Sequence, residues 1–381
     1  MNETEVKKIY YVANMRAPTE RAHGIQTAKM CEAFKEAGFS LELIVPSTKS
    51  TQNDFSKFYN LRCDIPIKQV FSINLFPKTR IGFNLRALVF GISSFLYLRS
   101  KLKKEKGVVY VIDHDQFSFS FLVFLNTSVF AEIHGPKINI LPNMLFFKRV
   151  SGIIAVSRGV SEGLIEDFSV SPDRIIVCPN GIDISSFDLS LEKEEARKQL
   201  KIAKEGLYAI YVGKFYDWKG LEIFPYVASK IPDIKFFMIG GSAEEFGEVS
   251  GVTDYPSNLI FGGSKPHSEI PVWLKASDIL LVSGTKKNQY SYRETSPMKI
   301  FEYMVSMRPI VAADTPAIRS IVTEKEVFLY KPDDHQDLEK VIKNAVEDLE
   351  TAKIKMCNSY KLAKDYSWSN RVNTIVKFFK K

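Results

Sequence analysis

Short apolar runs, rich in β-branched and aromatic residues, alternate along most of this 381-residue chain with segments of helical periodicity. Such alternation is typical of parallel sheets, because a parallel connection needs a crossover long enough to hold a helix. We therefore predict an α/β chain in which each run is a strand. The predicted strands are residues 9–14, 41–46, 108–113, 129–134, 152–157, 207–213, 235–240, 258–262, 279–283, 309–313 and 327–330.

Chain length and a change in composition predict two domains. One hydrophobic core rarely serves 381 residues, whereas two domains of roughly 180 residues each are of ordinary size. The alternation is interrupted at residues 181–205, where the chain becomes polar and charged. We place the domain boundary in this stretch.

Loops that follow predicted strands in the second half carry lysines or paired glycines. Lys214 and Lys219 follow the strand at 207–213, and two further strands end in Gly240-Gly241 and Gly262-Gly263. Ligands of open α/β sheets bind beyond the carboxyl ends of the strands. Glycine lets the backbone approach such a ligand closely.

Two glutamates eight positions apart, Glu294 and Glu302, flank a predicted helix start. Ser296 suits the N-cap and Pro297 the first helical position, so that backbone amides, Lys299 and both carboxylates would converge. Amides and lysine suit phosphate oxygens, while carboxylates accept hydrogen bonds from vicinal sugar hydroxyls. The pattern favours a nucleoside diphosphate sugar site, and two acids on a solvated helix face are the alternative.

In this order, these features resemble the carboxyl-terminal domain of the retaining glycosyltransferases of family four, which have the GT-B fold. The resemblance extends to the first half of the chain, where Gly24 is similar to the family's glycine loop and His134 to its strand-end histidine. Residues 178–183 and 365–368 are similar to the family's interdomain crossover and to the tail from which a final helix returns to the first domain.

The resemblance implies two Rossmann-like α/β domains that face each other across a cleft. Residues 1–181 would bind the acceptor, with residues 366–381 packing back on them, and residues 182–365 would bind the donor. Two departures from the family pattern stand out. Lys214 replaces the usual arginine and loses its bidentate fork, and residues 295–298 replace a glycine-rich stretch.

The resemblance also implies roles for individual residues. His134, Glu294 and Lys219 would be catalytic, and His23 and His114 are candidates on the acceptor side. The donor would be bound by Lys214, Lys219, Glu294, Ser296, Pro297, Met298, Lys299, Glu302, Gly24, Gly240 and Ser264.

The reaction that the resemblance implies is retaining transfer of a sugar from a nucleotide diphosphate donor to a saccharide or lipid-linked saccharide, in the synthesis of cell-surface glycans. No cofactor or metal is expected, although residues 113–115 spell the acid-x-acid triplet that holds a metal in another glycosyltransferase fold. A nucleotide-sugar epimerase of the same architecture and a non-catalytic nucleotide-sugar-binding protein remain alternatives. A dinucleotide-dependent dehydrogenase is disfavoured, because no Gly-x-Gly-x-x-Gly follows the first strand.

Positive charge is concentrated between Lys68 and Lys106, where nine basic residues and one acid surround the apolar run 85–98. This run is too short and interrupted to span a bilayer, which needs about 20 apolar residues. We expect it either to contact an anionic membrane surface or to be a buried helix with a solvated basic end. No nucleic-acid-binding motif accompanies it. The charged amino-terminal start does not resemble a signal peptide, so we expect a cytoplasmic protein, peripheral at the inner face of the membrane.

Overall fold

The computed structural model describes residues 7–47, 55–76, 79–115 and 117–380. They form two compact units. The first unit contains the described residues up to Asn180 together with those from Trp368 onward, and the second contains Gly181–Ser367.

The first unit is built on a parallel sheet of seven strands in the order β3-β2-β1-β4-β5-β6-β7. The strands are β1 Lys8–Ala13, β2 Ser40–Pro46, β3 Ile67–Val70, β4 Val108–Ile112, β5 Val129–Ile133, β6 Gly152–Ala155 and β7 Ile175–Val177. The helices that connect them are α1 Ala22–Glu36, α2 Phe55–Phe58, α3 Arg80–Leu102, α4 Leu141–Arg149 and α5 Arg158–Phe168.

The second unit is built on a parallel sheet of six strands in the order β10-β9-β8-β11-β12-β13. The strands are β8 Leu207–Val212, β9 Ile234–Ile239, β10 Leu259–Gly263, β11 Ile279–Val282, β12 Ile310–Ala313 and β13 Phe328–Tyr330. The helices are α6 Ile184–Phe187, α7 Lys193–Gln199, α8 Ile223–Lys230, α9 Ala243–Ser250, α10 Ile270–Ala276, α11 Met298–Val305, α12 Pro316–Arg319, α13 His335–Glu347 and α14 Leu349–Ala363.

The final helix, α15 Trp368–Phe379, belongs to the first unit, where it packs beside α1. Phe379 stacks on Phe34 with ring centroids 6.3 Å apart. Helices α3, α4 and α5 contribute to one core cluster that includes Phe90, Phe146 and Leu164. Right-handed crossovers explain this grouping, because the connections from β3 through β7 all advance in the same direction across the sheet.

The predicted α/β fold of two Rossmann-like domains is confirmed, and all eleven predicted strands are present, with ends that differ by one or two residues. Sequence reasoning missed β3 and β7. Both are edge strands of the first sheet, and their side chains are partly exposed, so they lack the apolar run that marks a buried strand.

Helix α3 is longer than the apolar run that predicted it. It has 23 residues, and among the described residues it is the one helix whose length and composition would suffice to cross a membrane. The expectation that this segment is too short is therefore corrected. Such a test is also passed by core helices of soluble proteins. One face of α3, with Ala87, Phe90 and Leu98, is fully buried, and Ile81 is 74% exposed.

Candidate active site

Three glycines line the carboxyl ends of β8, β9 and β10. The Gly213 N–H donates to Ile239 O at 2.8 Å, and the Gly240 N–H donates to Gly263 O at 2.9 Å. All three have positive φ, and a Cβ at Gly240 would lie only 2.4 Å from Gly213 O. The strand ends at Gly213 and Gly240 can therefore approach each other this closely only because Gly240 has no side chain.

Two lysines converge on Gly213. A Cβ at that position would lie 3.1 Å from Lys299 Nζ and 3.5 Å from Lys219 Nζ. Lys219 donates to Lys214 O at 2.7 Å, and burial lowers the pKa of Lys219 to about 8. Lys214 itself is exposed, with its Nζ 6.0 Å from the Tyr216 ring centroid. Of the three predicted lysines, Lys219 and Lys299 thus form a cluster at the end of β8.

Helix α11 begins one residue later than predicted. Met298 is its first residue and Pro297 its N-cap, with extended backbone angles, so the prediction that Ser296 is the N-cap is wrong. The ψ of 115° at Pro297 is extended rather than helical, so the helix starts after Pro297 and Ser296 lies one residue before the N-cap. Pro297 has no N–H, so the free amides of the helix start come from Met298 and Lys299 instead.

Glu302 lies one turn into α11 and is buried, with 7% of its surface exposed, rather than on an open surface. Its Oε1 lies 2.9 Å from Nε2 of His267, which was not among the predicted site residues. Glu294 ends a short π-helical turn, Tyr290–Glu294, and is partly buried. Ser264 lies on the exposed loop that follows β10.

In the first unit, the candidate residue His134 follows β5 directly. Its Nε2 lies 2.6 Å from Glu132 Oε1, and because a carboxylate can only accept, this nitrogen carries the proton. Gln26 of α1 also donates to Oε1 at 2.7 Å, and Tyr110 of β4 donates to Oε2. The ring orientation and tautomer of His134 are therefore set by Glu132.

Glu132 is fully buried and paired with Arg371 of α15, which donates to its two oxygens at 2.9 and 3.1 Å. Arg371 also donates to Pro179 O at 2.7 Å. Burial alone would raise the pKa of Glu132, but Arg371 and the other donors hold it at about 2. Sequence reasoning missed both residues; an acid two positions before His134 was the available signal for Glu132.

Gly24 lies in the first turn of α1 and is required there by packing. A Cβ would lie 2.4 Å from the Tyr59 hydroxyl and 2.8 Å from Thr19 O. His23, its neighbour, is exposed. The donor contact of Gly24 and the acceptor contact of His23 remain predictions.

His114 is not available to an acceptor, which corrects its predicted place. The ring is fully buried and stacks on Phe146 with centroids 4.0 Å apart, and burial lowers its pKa to about 3. The acids on either side of it are both bound: Lys137 pairs with Asp113 at 2.6 Å, and the Ser118 N–H donates to Asp115 at 2.7 Å. No cluster of three or more His, Cys, Asp or Glu side chains that could hold a metal occurs among the described residues.

Solved structures of other proteins superpose on nearly the whole chain. A glycosyltransferase from Rickettsia africae superposes with a TM-score of 0.76 at 17% identity, over 99% of this chain and 98% of the other. The Anabaena protein HepE, solved with UDP-glucose, has a TM-score of 0.74 at 15% identity, over 98% and 99% of the two chains. These likenesses define the class: two Rossmann-like domains of the GT-B type.

The family follows from two models, one for each half. Residues 24–186 match "Glycosyltransferase Family 4" and residues 192–361 match "Glycosyl transferases group 1". Both halves of the chain thus match models of glycosyltransferase domains, which supports a GT-B glycosyltransferase of the family-four type.

Sequence relatives agree with this assignment. The processive diacylglycerol alpha-glucosyltransferase of Acholeplasma laidlawii is 25% identical over 57% of this chain and 64% of its own length. A Bacillus subtilis glycosyltransferase named for teichuronic acid biosynthesis is 27% identical over 55% of this chain and 53% of its own length. The matches thus span less than two thirds of either relative.

Proposed function

We propose that the protein is a retaining glycosyltransferase of cell-surface glycan synthesis, which moves a sugar from a nucleoside diphosphate donor to a saccharide or lipid-linked saccharide. The observation that carries this proposal is the convergence of Lys219 and Lys299 at Gly213, with Glu302 on the adjoining helix. HepE, of the same fold, was solved with UDP-glucose, and one relative is named as a diacylglycerol glucosyltransferase.

The chemistry requires charge stabilisation on the leaving diphosphate. As the bond between the anomeric carbon and the phosphate breaks, negative charge develops on the diphosphate, and Lys219, Lys299 and the first amides of α11 would stabilise it. Since His267 binds Oε1 of Glu302, Oε2 is the oxygen we assign to the ribose hydroxyls. Glu294 would orient the donor sugar.

His134 would bind the transferred sugar through Nδ1, because Glu132 occupies its Nε2. We assign no covalent nucleophile, and propose that the leaving phosphate helps to deprotonate the acceptor on the same face of the sugar. The lysines supply the positive charge that a divalent metal would otherwise bring, so we propose a metal-independent reaction.

A donor screen with matched variants tests this function. UDP-, GDP- and ADP-sugars are compared by thermal shift, where a ligand at about a hundred times its Kd stabilises by about 2.7 kcal/mol. With the donor that binds, Lys219→Ala and Glu302→Gln are expected to lower transfer about a hundredfold, or about 2.7 kcal/mol of transition-state stabilisation. Product analysis is expected to show retention, with turnover unchanged by a chelator.

Lys230→Ala, at the exposed end of α8, is the control and is expected to leave the rate unchanged. Wild-type rates in folded Lys219→Ala and Glu302→Gln would refute the donor site. Conversion of the donor without any acceptor would instead identify an epimerase.

We further propose that the first unit contacts the inner face of the cytoplasmic membrane. Apolar side chains are exposed before and at the start of α3 and before and along α4, a set that we name the apolar rim: Phe71, Leu75, Phe76, Ile81, Phe83, Ile138, Leu141, Met144 and Leu145. An exposed apolar surface beside basic residues is typical of interfacial contact.

The rim lies at the same edge of the sheet as His134. Helices α3 and α4 both begin after the carboxyl ends of their preceding strands, β3 and β5, and His134 follows β5. Lys103 and Lys104 lie at the other end of α3, about 35 Å away at 1.5 Å per residue. The rim and Arg80, rather than those lysines, are therefore the surface that we assign to the membrane, where a lipid-linked acceptor would be within reach of the site.

A further inference from the structure

The amino group of Lys299 lies inside the second unit. Part of its stem is accessible, but its Nζ is shielded from solvent and has no hydrogen-bond partner among the described residues. The Nζ lies 3.5 Å from the centroid of the Tyr211 ring. A ring face provides only a weak attraction for a buried ammonium compared with the hydration that it replaces.

The charged and titratable groups around Lys299 come from three elements. Tyr211 belongs to β8, Lys219 ends the turn Asp217–Lys219, and Glu302 lies three residues further along α11. The two lysine Nζ atoms cannot be farther apart than the sum of their distances to the Cβ position of Gly213, 3.1 and 3.5 Å. Like charges at this separation oppose the protonation of both.

Glu302 does not compensate fully, because its Oε1 is bound by His267. Burial and then the charge of Lys219 hold the pKa of Lys299 well below its usual range, more than Glu302 raises it. Burial also lowers the pKa of Lys219, to about 8. Burial and the nearby ammonium of Lys219 thus both favour the neutral form of Lys299 over its charged form in the free protein.

We propose that Lys299 takes up a proton from solvent when the donor diphosphate binds, and returns it when the nucleoside diphosphate leaves. This inference rests on the proposed function, because the diphosphate is the anion that would sit between the two lysines. The bound anion supplies the opposite charge that Lys299 lacks, so each stabilises the other. The transition state then meets two cations rather than one.

Proton uptake has a defined effect on affinity. If one proton is bound with the donor, affinity falls tenfold for each pH unit above the pKa of Lys299 in the free protein, and is independent of pH below it. Lys219, with a pKa of about 8, adds to this dependence only at higher pH.

Calorimetric titration with UDP-glucose at pH 7, in buffers of different ionisation enthalpy, tests the proposal. The diphosphate of UDP-glucose carries no proton to exchange near neutral pH, so the dependence of the observed heat on the buffer counts protons taken up by the protein. We expect close to one for the wild type and close to zero for Lys299→Met and Lys299→Arg. Lys214→Met, which alters an exposed lysine in the loop that also carries Lys219, is expected to retain the proton uptake.

His267 is the other titratable group beside Glu302, so His267→Gln is the second control and is also expected to retain it. Uptake that persists in Lys299→Met, or is lost in His267→Gln, overturns the proposal. If the Lys299 variants do not fold, a wild-type Kd for UDP-glucose that is constant between pH 6 and 8 overturns it equally. UDP-glucose binding without proton uptake refutes this inference alone, whereas failure of UDP-, GDP- and ADP-sugars all to bind refutes the donor site as well.

Discussion

At the scale of single residues, Gly213 is the position where backbone geometry and site chemistry coincide. Its φ of +137° is strained for any residue with a side chain, and a Cβ would press on Lys299 Nζ at 3.1 Å and touch Lys219 Nζ at 3.5 Å. We expect Gly213→Ala to cost about 1–3 kcal/mol of folding free energy. We also expect it to weaken UDP-glucose binding about tenfold, which corresponds to about 1.4 kcal/mol of binding free energy. Denaturant unfolding and ligand titration measure the two effects.

A glycine with free space provides the comparison. Gly163, inside α5, has no heavy atom within 4 Å of an added Cβ, so Gly163→Ala is expected to stabilise by about 0.5–1 kcal/mol without changing affinity. Equal binding by wild type and Gly213→Ala would show that the two lysines do not need the space beside Gly213.

Candidate residues differ in how well sequence reasoning could place them. Lys219 and Lys299 flank recognisable strand and helix boundaries, so their positions at the carboxyl edge of the sheet could be predicted. Their convergence on one point could not, because it depends on the packing of α11 against β8. His114 looks like a loop residue in the sequence, yet it is buried because Phe146 of α4 covers it.

At the scale of elements, α15 stabilises the first unit through Arg371. Removing this guanidinium leaves the Glu132 carboxylate buried without its counter-charge, so Arg371→Met is expected to cost about 3–5 kcal/mol of unfolding free energy. Arg319→Met in the second unit, which breaks a half-exposed pair with Asp314, is the control and is expected to cost at most about 1 kcal/mol.

The pH dependence of stability reports on the same pair. The pKa of Glu132 is lowered from about 4.5 to about 2 in the folded protein, so the stabilisation is present above pH 4.5 and is lost as pH falls towards 2. We expect the unfolding free energy of the wild type to decrease across this window, and that of Glu132→Gln to decrease less. Parallel curves for the two proteins would mean that Glu132 is not charged in the fold.

At the scale of the whole molecule, the distribution of apolar and basic surface predicts how the protein meets a membrane. We expect co-sedimentation with phosphatidylcholine vesicles to increase when phosphatidylglycerol is added, and to decrease as salt screens the charges. Ile81→Ser with Phe83→Ser is expected to reduce partitioning at least tenfold, because each exposed side chain would lose about 1.5 kcal/mol or more of burial.

Lys103→Glu with Lys104→Glu, at the far end of the same helix, is the matched variant and is expected to have the smaller effect. A larger loss of vesicle binding in the lysine variant than in the Ile81 and Phe83 variant would place the membrane contact at the basic end of α3. Absence of wild-type binding to anionic vesicles at low salt would favour a soluble acceptor.

The alternation of apolar runs determined the fold class, since the period of a strand and the crossover that follows it are both encoded by neighbouring residues. The order of loop motifs likewise determined which strand ends carry lysines and glutamates. Only the tertiary structure decided what surrounds each polar group. Arg371 meets Glu132 across 239 positions, and the Nζ of Lys299 has no hydrogen-bond partner within the described part of the chain. The state of a buried charge depends on side chains brought together from distant parts of the chain, and no local pattern specifies those partners.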